Sequence, residues 1–294
     1  MSDYHLHLHS HVGPGEPEGP PQGEYPPGLI EAYVEAAARR GVGELGFTEH
    51  LYRCREAETV LGRFWEGEAT PTDLASLSAE MVAADRTLSL DAYVAAVTNA
   101  KQAGLPVRLG LEVDFFPETI EAVAEMIAPY PWDYLIGSVH WIGGWAIDAS
   151  HSEHEFRRRG VAKAWEQYFE LETRLAASGV VDVLAHVDVI KKYGHRPTID
   201  ASPWYDAVVE AAATSGTAVE VSSQGLRYPA AEVYPAPEFL ARFQAAGVPI
   251  TFASDAHRAE DAGHGHREVV AAARAAGYST RLRFDSRRRE AVDL

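Results

Sequence analysis

Apolar residues recur along this chain with two periods, and the two alternate from start to finish. The opening segment Asp3-Tyr4-His5-Leu6-His7 follows a two-residue period and predicts a strand over residues 1–7. Residues two apart on a strand share one side at a spacing of about 6.5–7 Å, so His5 and His7 face together while Leu6 turns to a core. The stretch from Gly13 to Pro27, rich in Gly, Pro and Glu, interrupts any period and reads as a loop. Leu29, Ile30, Tyr33, Val34 and Ala37 then recur at helical spacing, predicting a helix over 28–40 that follows Pro26-Pro27 and stops at Gly41. A strand over 44–48 follows. Residues 51–90 carry mixed charge without clear periodicity and read as an irregular excursion across the mouth of the molecule.

Beyond it the same alternation resumes. It predicts helix 89–103, strand 107–113, short helix 118–128, strand 134–140, an aromatic loop through Trp141 and Trp145 to Asp148, and a long helix over 153–177 before Gly179. Strand 180–185, helix 203–215, strand 218–222, helix 237–246, strand 248–253 and helix 266–276 complete the series, with a basic, mostly polar tail. Strands separated by helices imply a parallel sheet with helices outside. No linker composition divides the chain, which reads as one domain over 1–294. His7, His50, Glu112, His140, His186, Asp255 and His257 all fall at or just beyond C-terminal ends of predicted strands. A closed parallel barrel gathers such ends on one rim, whereas an open doubly wound sheet brings together only some of them. The expectation is therefore an α/β fold, a seven-stranded TIM-like (β/α) barrel.

Composition narrows the function. With 294 residues, 46% hydrophobic and 23% charged, a sizeable core is available. No apolar run is long enough to span a bilayer, and no secretory signal is visible. The single cysteine, Cys54, rules out an intramolecular disulfide framework and fits a reducing cytoplasm. A formal charge of −17 disfavours nonspecific binding to nucleic acid or acidic membranes. It still admits a small anionic substrate, because metals and a few arginines reverse the field locally.

Six strands end in a residue able to bind a divalent cation. Imidazole and carboxylate donors suit Zn, Fe or Mn, and the lack of thiolate ligands argues against a structural zinc site. So many ligands exceed what one ion needs, which points to two or three divalent transition metals. The motifs Asp3-x-His5-x-His7, Phe47-Thr48-Glu49-His50, Gly110-Leu111-Glu112, Gly137-Ser138-Val139-His140, Leu184-Ala185-His186-Val187-Asp188 and Ser254-Asp255-Ala256-His257 occur in this order. Together they resemble the polymerase and histidinol phosphatase (PHP) superfamily. Ser222-Ser223-Gln224-Gly225-Leu226-Arg227 and the segment from His186 to Tyr193 resemble its stand-alone histidinol-phosphatase members.

That resemblance implies a distorted seven-stranded barrel with a trinuclear centre on its C-terminal rim. Carried onto this chain, the ligands are His5, His7, His50, Glu112, His140, His186, Asp255 and His257, with Glu112 as the bridging carboxylate. A further ligand of the first motif falls to His11, His9 or Glu16, with His11 preferred. Glu49 stands where the family commonly has Asp and is expected behind the ligands or facing the substrate. The implied reaction is metal-dependent hydrolysis of a phosphomonoester, with L-histidinol phosphate, from histidine biosynthesis, as the favoured substrate. Clustered cations lower the pKa of a bridging water and neutralise phosphoryl oxygens, so no protein nucleophile is needed. Asp255 or His257 is expected to protonate the leaving alkoxide, Arg227 to clamp phosphate, and Lys191 or Lys192 to assist. Glu49, Asp148 and the Trp141/Trp145 loop are expected to meet the substrate's ammonium and imidazole. Competing readings are action on another small phosphate or a nucleotide, a noncatalytic metal-binding accessory domain, and an amidohydrolase. The last lacks the expected lysine at a strand end.

Overall fold

The structure is a computed structural model and describes residues 1–11, 19–66 and 71–294. In chain order, β1 (Ser2–Leu6), α1 (Leu29–Ala38) and β2 (Glu44–Phe47) come first. Two short 3₁₀ turns then lead to α2 (Glu58–Leu61), α3 (Thr72–Asp85) and α4 (Leu90–Gln102). The central part contains β3 (Val107–Leu109), β4 (Glu112–Asp114), α5 (Ile120–Ile127), β5 (Ile136–Ser138), a small hairpin of β6 (Trp141–Ile142) and β7 (Trp145–Ala146), α6 (Glu155–Arg159) and α7 (Val161–Ser178). The remainder is β8 (Val183–Leu184), α8 (Ser202–Ser215), β9 (Ala218–Ser222), α9 (Pro237–Ala245), β10 (Ile250–Ala253), α10 (His266–Ala275), β11 (Thr280–Asp285) and β12 (Arg288–Asp293).

The fold is α/β with parallel sheets, as the alternation predicts. The strand ladders form one sheet in the order β1-β2-β3 and a second in the order β10-β9-β8-β5-β4. At the borders of these sheets stand two single parallel bridges, His50 to Glu112 and Leu6 to Ala256. The expected strand 107–113 is interrupted at Gly110-Leu111, and its two pieces belong to different sheets. A side chain at Gly110 would run into the Tyr134 ring and the Thr48 methyl, so only glycine lets the segment pass there. That split raises the parallel strands among the described residues above the seven expected.

Alternation within these strands produces two layers on the inner side. Tyr4, Tyr134, Ile136, Val183, Ala185 and Ala218 cluster with Leu282 and Phe284 of β11. Two residues further along their strands, Ile136 gives way to Ser138 and Ala218 to Glu220, so the same face turns polar toward the strands' C-terminal ends. The outward side chains, including Leu6, Val113, Leu184, Val219, Val221 and Phe252, join the large core beneath the helices. An irregularity in register between Asp3 and Leu6 lets Tyr4 join the inner apolar layer while His5 enters the polar one.

Three expectations are corrected. The excursion over 51–90 is not irregular: it carries α2 and the 14-residue α3. The buried side of α3 is Leu74, Ser78, Val82 and Asp85, a stripe too polar to register as amphipathic. The helix over 153–177 is broken at Gly160, whose φ of +83° a side chain would oppose. The tail is a regular antiparallel hairpin, β11 with β12, turning through Ser286 and Arg287 in left-handed conformation. Its Leu282 and Phe284, two apart, are buried while their neighbours stay more accessible. Among the described residues no helix is long and apolar enough to cross a membrane.

Candidate metal centre

Glu112 begins β4 and is fully buried, and five imidazoles reach its carboxylate. His50 Nδ1 lies 2.7 Å, His5 Nε2 3.3 Å and His7 Nε2 3.4 Å from Oε2, and His186 Nε2 3.2 Å and His140 Nε2 3.4 Å from Oε1. Ser138 also donates its hydroxyl to Oε1. Asp255 supplies a second carboxylate, with Oδ1 3.4 Å from His7 Nε2, 3.6 Å from His5 Nε2 and 3.6 Å from His257 Nδ1. Donor atoms lie within 4.8 Å of one another in four overlapping sets: His7/His50/His257, His5/His7/Asp255, His5/Glu112/His186 and His50/Glu112/His140. Eight residues separated by up to some 250 positions thus converge at the C-terminal ends of parallel strands. Two of them hold unusual backbone: His186 has φ +24° and Asp255 φ +52°, conformations rare outside glycine that cluster at functional sites.

The chemistry of this donor set fits divalent cations. His7 Nδ1, both ring nitrogens of His50, Glu112 Oε2, His186 Nδ1, Asp255 Oδ1 and His257 Nε2 are buried and, close as some of them lie to one another, make no hydrogen bond of proper geometry. Such orphaned atoms are costly unless something coordinates them. Protonation states agree. Burial, reinforced by neighbouring histidines, holds His257 well below the usual imidazole range and brings His50 down to about 3. Burial would raise Glu112 and Asp255, but the surrounding histidines keep both well below the ordinary carboxylate range. The centre therefore offers ionised carboxylates, with His50 and His257 neutral, while those same carboxylates raise His5, His7 and His140 against the downward push of burial, so that a cation bound there would displace their protons.

Outer carboxylates fix the rings. His5 Nδ1 meets Glu220 Oε2 at 2.8 Å, His140 Nδ1 meets Asp114 Oδ1 at 2.9 Å, and His11 Nδ1 meets Asp85 Oδ2 at 2.9 Å. A carboxylate on the far nitrogen sets which ring nitrogen faces the cation. None of these three acids is among the residues expected from the sequence. Two had a legible signal: Glu220 is a charge in the middle of a buried apolar strand, and Asp114 lies two residues after Glu112 on the same face.

Other expected residues sit elsewhere. Glu49 is buried behind His7 and faces no mouth: Oε1 accepts the Leu8 and His9 amides at 2.7 and 3.2 Å, and Oε2 lies 3.8 Å from both His7 Nδ1 and Arg53. Lys191 is likewise committed, fully buried between Asp188 and Glu232 at 2.7 Å each. It is Lys192 that meets Asp148, at 3.1 Å, and Asp148 is near enough to His140 and His186 for burial's upward push to be overcome by Lys192 and those rings. Arg227 donates to the Ser254 and Asp255 carbonyls at 2.6 and 2.9 Å, gripping the turn that carries Asp255. Trp145 is fully buried against Phe156, and Trp141 packs among Tyr52, Phe64 and Phe116. Of the three candidates for the further ligand, His9 spends its ring on Glu49 and the Glu24 carbonyl. His11 lies against the rings of His50 and His257, with centroids 5.1 and 4.9 Å away, and Glu16 is outside the described residues.

Parallel strands whose C-terminal ends gather a many-histidine, carboxylate-centred donor cluster define the class: an α/β metal-binding protein of the hydrolase type. More narrowly, the chain belongs to the PHP domain family, whose model matches residues 5–224. It is 31% identical to a probable histidinol-phosphatase of Deinococcus radiodurans over 86% of this chain and 89% of that one. It is 24% identical to the histidinol-phosphatase of Bacillus subtilis, over 82% and 91% of the two chains. Among solved structures it is similar to histidinol phosphate phosphatase of Lactococcus lactis, crystallised with zinc, L-histidinol and phosphate. The TM-score is 0.72 at 20% identity, covering 98% of each chain.

Proposed function

We infer that this chain is a metal-dependent phosphomonoesterase that hydrolyses L-histidinol phosphate to L-histidinol and phosphate. The observation that carries the reading is the convergence of five histidines on the buried Glu112 carboxylate, within a chain of the PHP domain family. The substrate follows from the names of its relatives and from the zinc, histidinol and phosphate bound by the Lactococcus protein. The two sheets are read as parts of one distorted seven-stranded barrel, with β3 and β4 counted together as one interrupted strand. Two or three divalent transition ions, zinc foremost and iron or manganese as alternatives, are held by His5, His7, His11, His50, Glu112, His140, His186, Asp255 and His257.

When bound, such ions supply an acidified water for attack and positive charge against the phosphoryl oxygens. The protein's own part is orientation. Glu112 offers both oxygens from the centre of the cluster. Glu220 and Asp114 set the His5 and His140 rings, and Arg227 fixes the Asp255 turn. Asp148 and Lys192 form a charged pair close to His140 and His186, suited to the polar ends of the substrate. A buried single cysteine accords with action in the cytoplasm.

The test is a panel of phosphomonoesters assayed with Zn, Mn or Fe. The highest kcat/KM is expected on L-histidinol phosphate, and faster turnover of a nucleotide would reject that substrate. Glu112→Gln is expected to cost more than about 100-fold in activity together with bound metal, since even outer partners of ligands are worth about 10–100-fold. A wild type with a full metal complement and no phosphatase activity would instead support an accessory, noncatalytic domain.

A further inference from the structure

The excursion between β2 and α4 sends one carboxylate into the molecule. Asp85, the last residue of α3, is almost fully buried, and its Oδ2 lies 2.9 Å from His11 Nδ1 while accepting the Tyr52 hydroxyl at 2.8 Å. Tyr52 Oη itself lies 3.3 Å from the same ring nitrogen. His11 is the one imidazole of the group whose side chain is substantially exposed, at 37%, and it comes from a loop, not a strand end. Without a tether its ring has several rotamers to choose from, and only some reach the His50 and His257 rings.

The segment that bears Asp85 is pinned along its length. Ser78, two turns earlier on α3, donates to the Gly144 carbonyl in the small hairpin at 2.6 Å. Arg86 Nε donates to the Tyr52 carbonyl at 2.9 Å, and Leu88 pairs with Arg53 and Arg55 through backbone bonds of 3.1 and 3.0 Å. The His9-Ser10 segment is clamped from the same turn: the fully buried Arg53 guanidinium donates to both carbonyls at 2.8 Å, and Ser10 Oγ donates to the His257 carbonyl at 3.1 Å. Two segments, both tied to the Tyr52-Arg53 turn, therefore meet at the His11–Asp85 contact.

We propose that Asp85 is the positioning residue for His11: α3 delivers the carboxylate that fixes this ring over His50 and His257 and thereby completes the binding of one divalent cation, the others being held without it. The inference rests on reading the cluster as a divalent-metal centre. Asp85 touches neither substrate nor cation. It acts by occupying Nδ1, which leaves Nε2 as the donor.

The experiment titrates apo protein with Zn in competition with a chromophoric chelator, for wild type, Asp85→Asn, Asp85→Ala, His11→Ala and the His11→Ala/Asp85→Asn double variant. Elemental analysis after gel filtration gives the number of ions retained. Asp85→Asn is expected to weaken one equivalent by about 10–100-fold and leave the rest at wild-type affinity. In the His11→Ala background it should add nothing, because the tether then has no ring to hold. Should Asp85→Ala fail to fold, the near-isosteric Asp85→Asn decides alone. Wild-type affinity at every site in both Asp85 variants, equal weakening of all equivalents, or an undiminished effect in the His11→Ala background would each overturn the proposal. A wild type that takes up no Zn would instead defeat the metal-centre reading beneath it. Failure to hydrolyse histidinol phosphate would leave the inference standing, since nothing in this titration depends on the substrate.

Discussion

His266 is the clearest single-residue liability outside the cluster. It opens α10, its Nε2 is buried without a partner, and its ring meets Phe252 edge-on at 5.9 Å. Burial, helped by the amino terminus and Arg281, lowers it from 6.5 to about 4. The unfolded chain therefore takes up a proton between pH 6.5 and 4 that the folded one refuses, and stability declines as pH falls through that window. His266→Gln should lose less of its thermal midpoint between pH 6.5 and 4 than the wild type, both measured in EDTA so that metal release does not contribute. Parallel midpoints across the window would refute the assignment. Glu112 and Asp255 show the opposite arrangement, in which each buried charge is matched by several imidazoles. The strand histidines and these two acids were readable as candidates because they lie near or just beyond the C-terminal ends of predicted strands. Asp85 was not, because nothing local distinguishes a buried aspartate at a helix end from a solvated one.

At the scale of elements, the β11–β12 hairpin closes the inner apolar layer. Leu282 and Phe284 pack onto Tyr4, Tyr134, Ile136, Val183 and Ala218, and Phe284 stacks on Tyr134 with centroids 5.3 Å apart. Arg283 and Arg108 meet Glu44 at 2.6 and 2.9 Å beside it. Phe284→Ala should destabilise the protein by about 3–5 kcal/mol, read from the denaturant midpoint. Metal content should be unchanged, because the polar layer lies beyond this one along the strands. A change below about 1 kcal/mol would mean the hairpin is an ornament on the fold. The hairpin was legible in principle, since Leu282 and Phe284 alternate with arginines, but the basic charge of the tail masked the period. The interruption at Gly110 had no local sign, because the obstacle is the Tyr134 ring from another strand.

For the whole molecule, the cluster concentrates buried histidines and acids at one place, so cations should be part of its stability. Removing them with EDTA is expected to lower the thermal midpoint, and adding back Zn or Mn to restore it. Binding at 1,000 times Kd contributes about 4 kcal/mol per site. An identical midpoint with and without chelator would show that the ligands do not hold metal in solution.

The sequence by itself determined the alternation of strands and helices, the parallel α/β class, the ligand-type residues at strand ends and the family, because period and motif order are local properties of the chain. Only the tertiary structure decided that Glu49 and Lys191 are enclosed by their own partners while Lys192 is drawn to Asp148. It alone brought Glu220, Asp114 and Asp85 behind the histidines and folded the tail against the inner layer. Burial and the identity of a neighbour tens to hundreds of residues away are consequences of packing, and no short window along the chain contains them.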